Sequence, residues 1–182
     1  MPDVIELLER DHREVEEMFG EFERATDPQE RRTIADKIII ELVKHSEAEE
    51  QAVYPAMRQA LPDGDKLVEH EISEHSKAEE IMKQLDGMAP DNPEFGVLMT
   101  QLMTAIRHHV QEEEGEAFPR FRQAVDKETL GKLASVVEGL KKIVPTHPHP
   151  MAPDRPPFNA LLGPGAGLLD RLRDMLTGRG KD

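Results

Sequence analysis

Among the places where this chain sets a histidine four residues before a glutamate, two stand in repeat register on a core stripe, His45 with Glu49 and His109 with Glu113. On an α-helix that spacing is one turn, ~6 Å along the axis and ~40° around it, so each pair forms a pincer on one centre. Two further histidines, His12 and His75, fall at comparable depth in two other helical stretches. Imidazole and carboxylate together favour iron, manganese or zinc over calcium or magnesium. The chain contains no cysteine, which excludes thiolate-bound zinc, iron–sulfur clusters, disulfides and a cysteine nucleophile. A metal held here must use nitrogen and oxygen donors, and iron is the leading choice.

These residues are positioned by helices. Turn signals at Asp27-Pro28, Pro62-Asp63-Gly64, Ala89 to Pro93 and Asp126 separate four long periodic runs and a shorter fifth. The first run has apolar stations at Ile5, Leu8, Val15, Phe19 and Phe22, and the vacant station is His12, which therefore points inward. The second carries His45 and Glu49 on the stripe of Ile38, Leu42, Ala52 and Ala56. The third carries His75 among Val68, Ile72, Ala78, Met82 and Leu85, and the fourth carries His109 and Glu113 among Leu102, Ile106 and Ala117. Each helix thus puts a histidine at mid-stripe. Six polar groups facing a core would cost several kcal/mol each to desolvate without partners. Polyvalent cations remove that objection: the two glutamates can bridge a pair of metals while the imidazoles fill terminal positions.

The segments His45 to Pro55 and His109 to Pro119 both read His-x3-Glu-Glu-x3-aromatic-Pro, and Asp11 to Met18 resembles Glu74 to Met82. Two copies of one hairpin follow, arranged as an all-α, pseudo-twofold bundle with the site at its axis. The fifth run, with Leu130, Leu133, Val136, Val137, Leu140 and Ile143, is an amphipathic cover. The repeat pairs Tyr54 with Phe118. An aromatic wedge closing the pocket is the first expectation for Tyr54; as a phenolate it would also ligate iron and favour ferric states, which makes it the candidate catalytic residue. His70 lies five positions before His75, ~140° away around an ideal helix, and joins the ligand set only if the helix is locally wide or a dinuclear site spans the gap. His108 is directed ~100° away from His109 and is expected outside the set.

The 182 residues include 23 basic and 37 acidic, a net charge of −14, which argues against nucleic acid or anionic membrane as partner. Aromatic residues are 4%, with no Trp and one Tyr, a composition of surface-charged helices rather than of β-sandwiches. No run reaches the ~20 apolar residues of a membrane span, and no export signal opens the chain, so a cytoplasmic protein is expected. Helical periodicity stops at Val144, and residues 145–182 hold 7 of the 14 prolines. The expected organisation is a helical body over 1–144 and a Pro/Gly-rich extension over 145–182. Within that extension Gly167 to Leu176 reads as a short amphipathic helix suited to docking on the body or on a second subunit, as a weak homodimer or a partner-binding tail.

Taken with their order and spacing, His12, His45-x3-Glu49, His70-x4-His75 and His109-x3-Glu113 resemble the hemerythrin-like, histidine–histidine–glutamate cation-binding family over residues 1–124. The resemblance implies an up-down-up-down four-helix bundle around two iron ions joined by an oxo or hydroxo bridge. It also implies His12, His45, His75 and His109 as terminal ligands, Glu49 and Glu113 as bridges and His70 as an additional nitrogen. In the oxygen-carrying members the third helix spaces its histidines by four and the last carboxylate is an aspartate five beyond its histidine. Here the spacing is five and the carboxylate is a glutamate, which points away from simple oxygen storage. The ferritin-like di-iron proteins need Glu-x-x-His on two helices, and this chain offers it once, at Glu9 and His12. The expected function is reaction with small oxidants, either hydrogen peroxide disproportionation or nitric oxide and peroxide detoxification. The alternative is a module that binds or senses oxygen, nitric oxide or iron without turnover.

Overall fold

The computed structural model describes residues 2–143, and the expected tail helix and the 145–182 extension lie outside the described residues. Among the described residues every regular element is helical. Helix α1 (Val4–Arg24) starts at a capping box in which Asp3 and Glu6 satisfy each other's backbone N–H. Helix α2 (Pro28–Ala48) starts on the Asp27 cap with proline in its first turn. It runs through a π-helical turn, Glu49–Val53, into α3 (Tyr54–Ala60). After a turn at 61–63 comes α4 (Gly64–Leu85), which Gly87 terminates with a φ of 71°. Helix α5 (Pro93–Glu112) repeats the pattern of α2: a π-helical turn, Glu113–Ala117, leads into α6 (Phe118–Ala124). Helix α7 (Lys127–Leu140) is capped by Asp126. Four continuous rods, α1, α2–α3, α4 and α5–α6, thus form an up-down-up-down bundle, with α7 as the fifth helix.

Both π turns have one cause. Pro55 and Pro119 lack the N–H that a regular helix needs at that position, and their rings crowd the carbonyl four residues back. The chain widens one turn ahead of each proline: the Tyr54 N–H reaches the Glu49 carbonyl and the Phe118 N–H the Glu113 carbonyl, each five residues away. In a regular α-helix a residue five positions on sits ~140° off the face of the first. The wide turn reduces that offset and keeps Tyr54 over Glu49 and Phe118 over Glu113.

The core is two apolar clusters with a polar layer between them. One contains Val4, Leu8, Val53, Tyr54, Met57, Val68, Phe118 and Phe121 and is covered by Leu130, Ala134 and Val137 of α7. Val136 and Ile143 of the expected α7 stripe are exposed instead. The other contains Phe19, Phe22, Ile38, Leu42, Met82, Phe95, Met99 and Ile106. Arg32 is buried at its far end, where Nη1 donates to the Leu85 carbonyl at 2.8 Å and satisfies the terminus of α4. Between the clusters lie the buried side chains of His12, His45, Glu49, His75, His109 and Glu113, with Glu71 beside them.

Candidate metal centre

Each of the four rods delivers one imidazole to the polar layer, and the two π turns deliver the carboxylates. His12 Nε2 and His45 Nε2 are 3.1 Å apart, as are His75 Nε2 and His109 Nε2. Glu49 Oε2 lies 3.1 Å from His45 Nε2 and 3.5 Å from His75 Nε2, so it touches both imidazole pairs. Glu113 Oε2 mirrors it, 3.4 Å from His109 Nε2 and 3.5 Å from His12 Nε2. Donor atoms of His12, His45, Glu49 and Glu113 all lie within 4.8 Å of one another, and so do those of Glu49, His75 and His109. Glu49 is common to both groups.

The outward nitrogens follow the same pseudo-twofold rule. His12 Nδ1 is 2.9 Å from Glu114 and His75 Nδ1 is 2.9 Å from Glu50, each the residue after a central glutamate. His45 Nδ1 faces Asp11 at 3.5 Å and His109 Nδ1 faces Glu74 at 3.5 Å, each the residue before a central histidine. An acid on Nδ1 keeps a proton there and leaves Nε2 as the inward donor, the arrangement that orients metal-binding imidazoles. Lys141, just past α7, pairs with Asp11 and so braces the fifth helix against this shell.

Two positions break the symmetry. Tyr54 stacks on His75 with ring centroids 5.4 Å apart, where Phe118 stacks on His12 at 5.8 Å. The Tyr54 hydroxyl donates to Glu113 Oε1 at 3.2 Å and lies 3.1 Å from His75 Nε2, so the aromatic wedge carries a polar atom into the layer. Glu71, the repeat partner of Leu8, is buried and places Oε2 3.2 Å from His109 Nδ1. Sequence periodicity missed Glu71; the repeat alignment contained the signal, since it sets this acid against a leucine. His70 is not brought into the layer. Helix α4 is regular through it, so the ~140° offset stands, and His70 is 52% exposed with Nε2 3.0 Å from Glu112.

Electrostatics follow from this packing. Burial opposes charge on His45, yet the Glu49 carboxylate and the Asp11 contact outweigh it and hold the imidazole at about 9. His109 is likewise held well above its ordinary value, against burial, by Glu113, Glu71 and Glu74. Burial, with the charged His109 beside it, pushes His75 down to about 3. Burial pushes Glu113 up, but His109 and His12 bring it below the usual carboxylate range. The Tyr54 phenol is raised well above its usual value by burial, then by Glu113 and Glu49.

Both oxygens of Glu49, and Oε2 of Glu113, are buried without a hydrogen bond. Orphaned carboxylate oxygens converging with four imidazole nitrogens are costly as a polar core and fit a polycationic centre. A cavity of about 30 Å³ lies against this quartet on the side away from Tyr54 and Phe118, lined by Val15, Leu42, Ala78, Met82 and Ile106. No helix among the described residues is long and apolar enough to cross a membrane.

Comparison with known proteins bears on the same residues. The family model described as the hemerythrin HHE cation binding domain matches residues 3–121. An uncharacterised hemerythrin-like protein of Schizosaccharomyces pombe is 30% identical over 177 residues, covering 97% of this chain and 87% of that protein. A DNA nickase of a Nostoc species is 28% identical over 136 residues, covering 75% of this chain and 38% of that protein. The crystal structure of a hemerythrin HHE cation-binding domain-containing protein from Mycobacterium kansasii superposes with a TM-score of 0.68 at 22% identity, covering 78% of this chain and 86% of that one. With a buried layer of histidines and glutamates set across four antiparallel rods, and a family match over most of its described length, this chain belongs to the hemerythrin HHE cation-binding family.

Proposed function

We propose that the chain holds two iron ions in this layer and uses them on small oxidants, with hydrogen peroxide disproportionation as the leading reaction. In this reading His12 and His45 would hold one ion, His75 and His109 the other, and Glu49 and Glu113 would be shared. His70 stands outside the set. When bound, the irons supply the capacity to take two electrons from one peroxide and return them to a second.

The observation that carries the reading is the cavity against the imidazole quartet. At about 30 Å³ with an apolar lining, it admits a molecule of the size of water or peroxide and excludes organic substrates. His75, Ala78, Ile106 and His109 also line an outer groove of about 470 Å³ between α4 and α5, so Ala78 and Ile106 form the partition between solvent and the layer. The protein's own groups manage protons. Tyr54 presents an O–H at Glu113 and His75, and the acids on each Nδ1 hold the imidazoles in one tautomer.

The test is oxygen evolution from peroxide by iron-loaded protein. Turnover above that of an equal concentration of free iron is expected, and turnover no greater than free iron overturns the catalytic reading. Tyr54 is the candidate phenolate ligand to the ion at His75 and His109. That role predicts a visible charge-transfer band in the ferric protein, lost in Tyr54→Phe, and a band that survives the substitution removes it.

A further inference from the structure

We propose that His70, Glu74, His108 and Glu112 form a second, peripheral cation site on the outer face of α4 and α5. Its ligand class is a divalent first-row metal that accepts nitrogen and oxygen donors, such as zinc(II). The residues repeat the logic of the buried layer. His70 and Glu74 are four apart on α4, and His108 and Glu112 are four apart on α5, so two His-x3-Glu pincers face each other across one helix pair.

The geometry is that of a chelate. His70 Nε2 is 3.0 Å from Glu112 Oε2, and His108 Nδ1 is 3.6 Å from the same oxygen and 3.7 Å from Glu74 Oε1. Donor atoms of His70, Glu74 and Glu112 lie within 4.8 Å of one another. A tetrahedral metal with bonds of ~2.1 Å separates its ligand atoms by about 3.4 Å, so the existing spacings need only small side-chain adjustments. Exposed ion pairs contribute about 0–1 kcal/mol and give no reason for His70, Glu74 and Glu112 to converge, with His108 against both glutamates. The net charge of −14 adds a field that concentrates cations at such a cluster.

The site is distinct from the buried layer but touches it through one residue. Glu74 turns Oε1 toward His108, while Oε2 lies 3.5 Å from His109 Nδ1. It follows that a cation in the outer site is felt at His109.

The test uses zinc(II) as the probe and the full chain as it exists. Calorimetric titration of metal-free protein, with native mass spectrometry, is expected to show one more zinc equivalent in the wild type than in the His70→Ala/His108→Ala double variant. Glu112→Gln is expected to weaken that equivalent tenfold or more. Unchanged stoichiometry and affinity in the double variant overturn the proposal. All three substitutions are on partly exposed side chains, so circular dichroism is expected to show unchanged helicity. The outcome is separable from that of the buried centre. Equivalents that remain in His70→Ala/His108→Ala belong to the inner layer, and an equivalent that persists in His45→Leu/His109→Leu but disappears on adding His70→Ala/His108→Ala supports the outer site.

Discussion

Filling the inner layer at pH 7 should expel protons from His45 and His109. His45 is held at about 9 and His109 well above its ordinary value, so both are imidazolium in the metal-free protein; His75, pushed down to about 3, is already neutral. A metal needs the Nε2 lone pair of each. The proton lost is the inward one, because Asp11 and Glu74 face the outward nitrogens of His45 and His109. Loading is therefore expected to release about two protons per protein from His45 and His109. With His45 about two pKa units above neutrality, its deprotonation costs about 2.7 kcal/mol at pH 7, roughly a hundredfold in apparent affinity. Affinity should climb with pH and level off for the His45 share near pH 9. The assay is zinc titration at pH 7 in two buffers of different ionisation enthalpy, using His70→Ala/His108→Ala to leave the inner layer alone. Release of fewer than about one proton per protein would refute the assignment of charge to these two imidazoles.

The remaining predictions concern stability and access. In the metal-free protein the raised pKa of His45 contributes stability that is fully present below ~6.5 and lost as pH rises through about 9, worth up to about 3 kcal/mol. The depressed pKa of His75 acts in the opposite sense, and its contribution is lost as pH falls from ~6.5 toward about 3. Urea unfolding should therefore show a maximum near neutrality, and equal stability at pH 7 and pH 9.5 would contradict the His45 part. Gly64→Ala places a Cβ 2.5 Å from the Met57 carbonyl oxygen and 2.7 Å from Arg58 Cα, and should lower stability by about 1–3 kcal/mol in the same assay. Ala78→Leu should narrow the partition between groove and cavity and slow azide binding to iron-loaded protein tenfold or more in stopped flow, with iron content unchanged. An unaltered rate would place the access route elsewhere.

Much of this was legible in the sequence because helical period and burial are tightly linked. The turn signals at Asp27, Pro62 to Gly64, Ala89 to Pro93 and Asp126 mark the observed ends of the rods, and His12, His45, His75 and His109 all sit at buried mid-stripe stations. What periodicity could not show was departure from a constant period. The wide turns at Glu49–Val53 and Glu113–Ala117 have no apolar pattern of their own; proline and the repeated aromatic were visible, but their effect on backbone pitch was not. The same arithmetic left His70 open, since a wide turn in α4 would have carried it inward. The widening occurs in the two proline-bearing rods and not in α4, so His70 meets Glu112 at the surface. Glu71 was hidden for a different reason: an acid at a buried station looks like a break in the stripe until its partner, His109, is placed beside it.

Each wide turn also carries a surplus residue, and its duty is to the proline that follows. Deleting one position between 50 and 53 would let the segment rewind to the ordinary pitch, with Tyr54 then four residues beyond Glu49 and only ~40° off its face. Tyr54 would keep its place over Glu49, and what would return is the clash of the Pro55 ring with the carbonyl four residues back. The link at 86–92 has no such duty, since it joins two rods without holding any side chain of the layer. Chain length is therefore negotiable in this protein at the connections, and a one-residue gap at 50–53 or 114–117 in a related sequence would foretell the loss of the matching proline rather than a different cage.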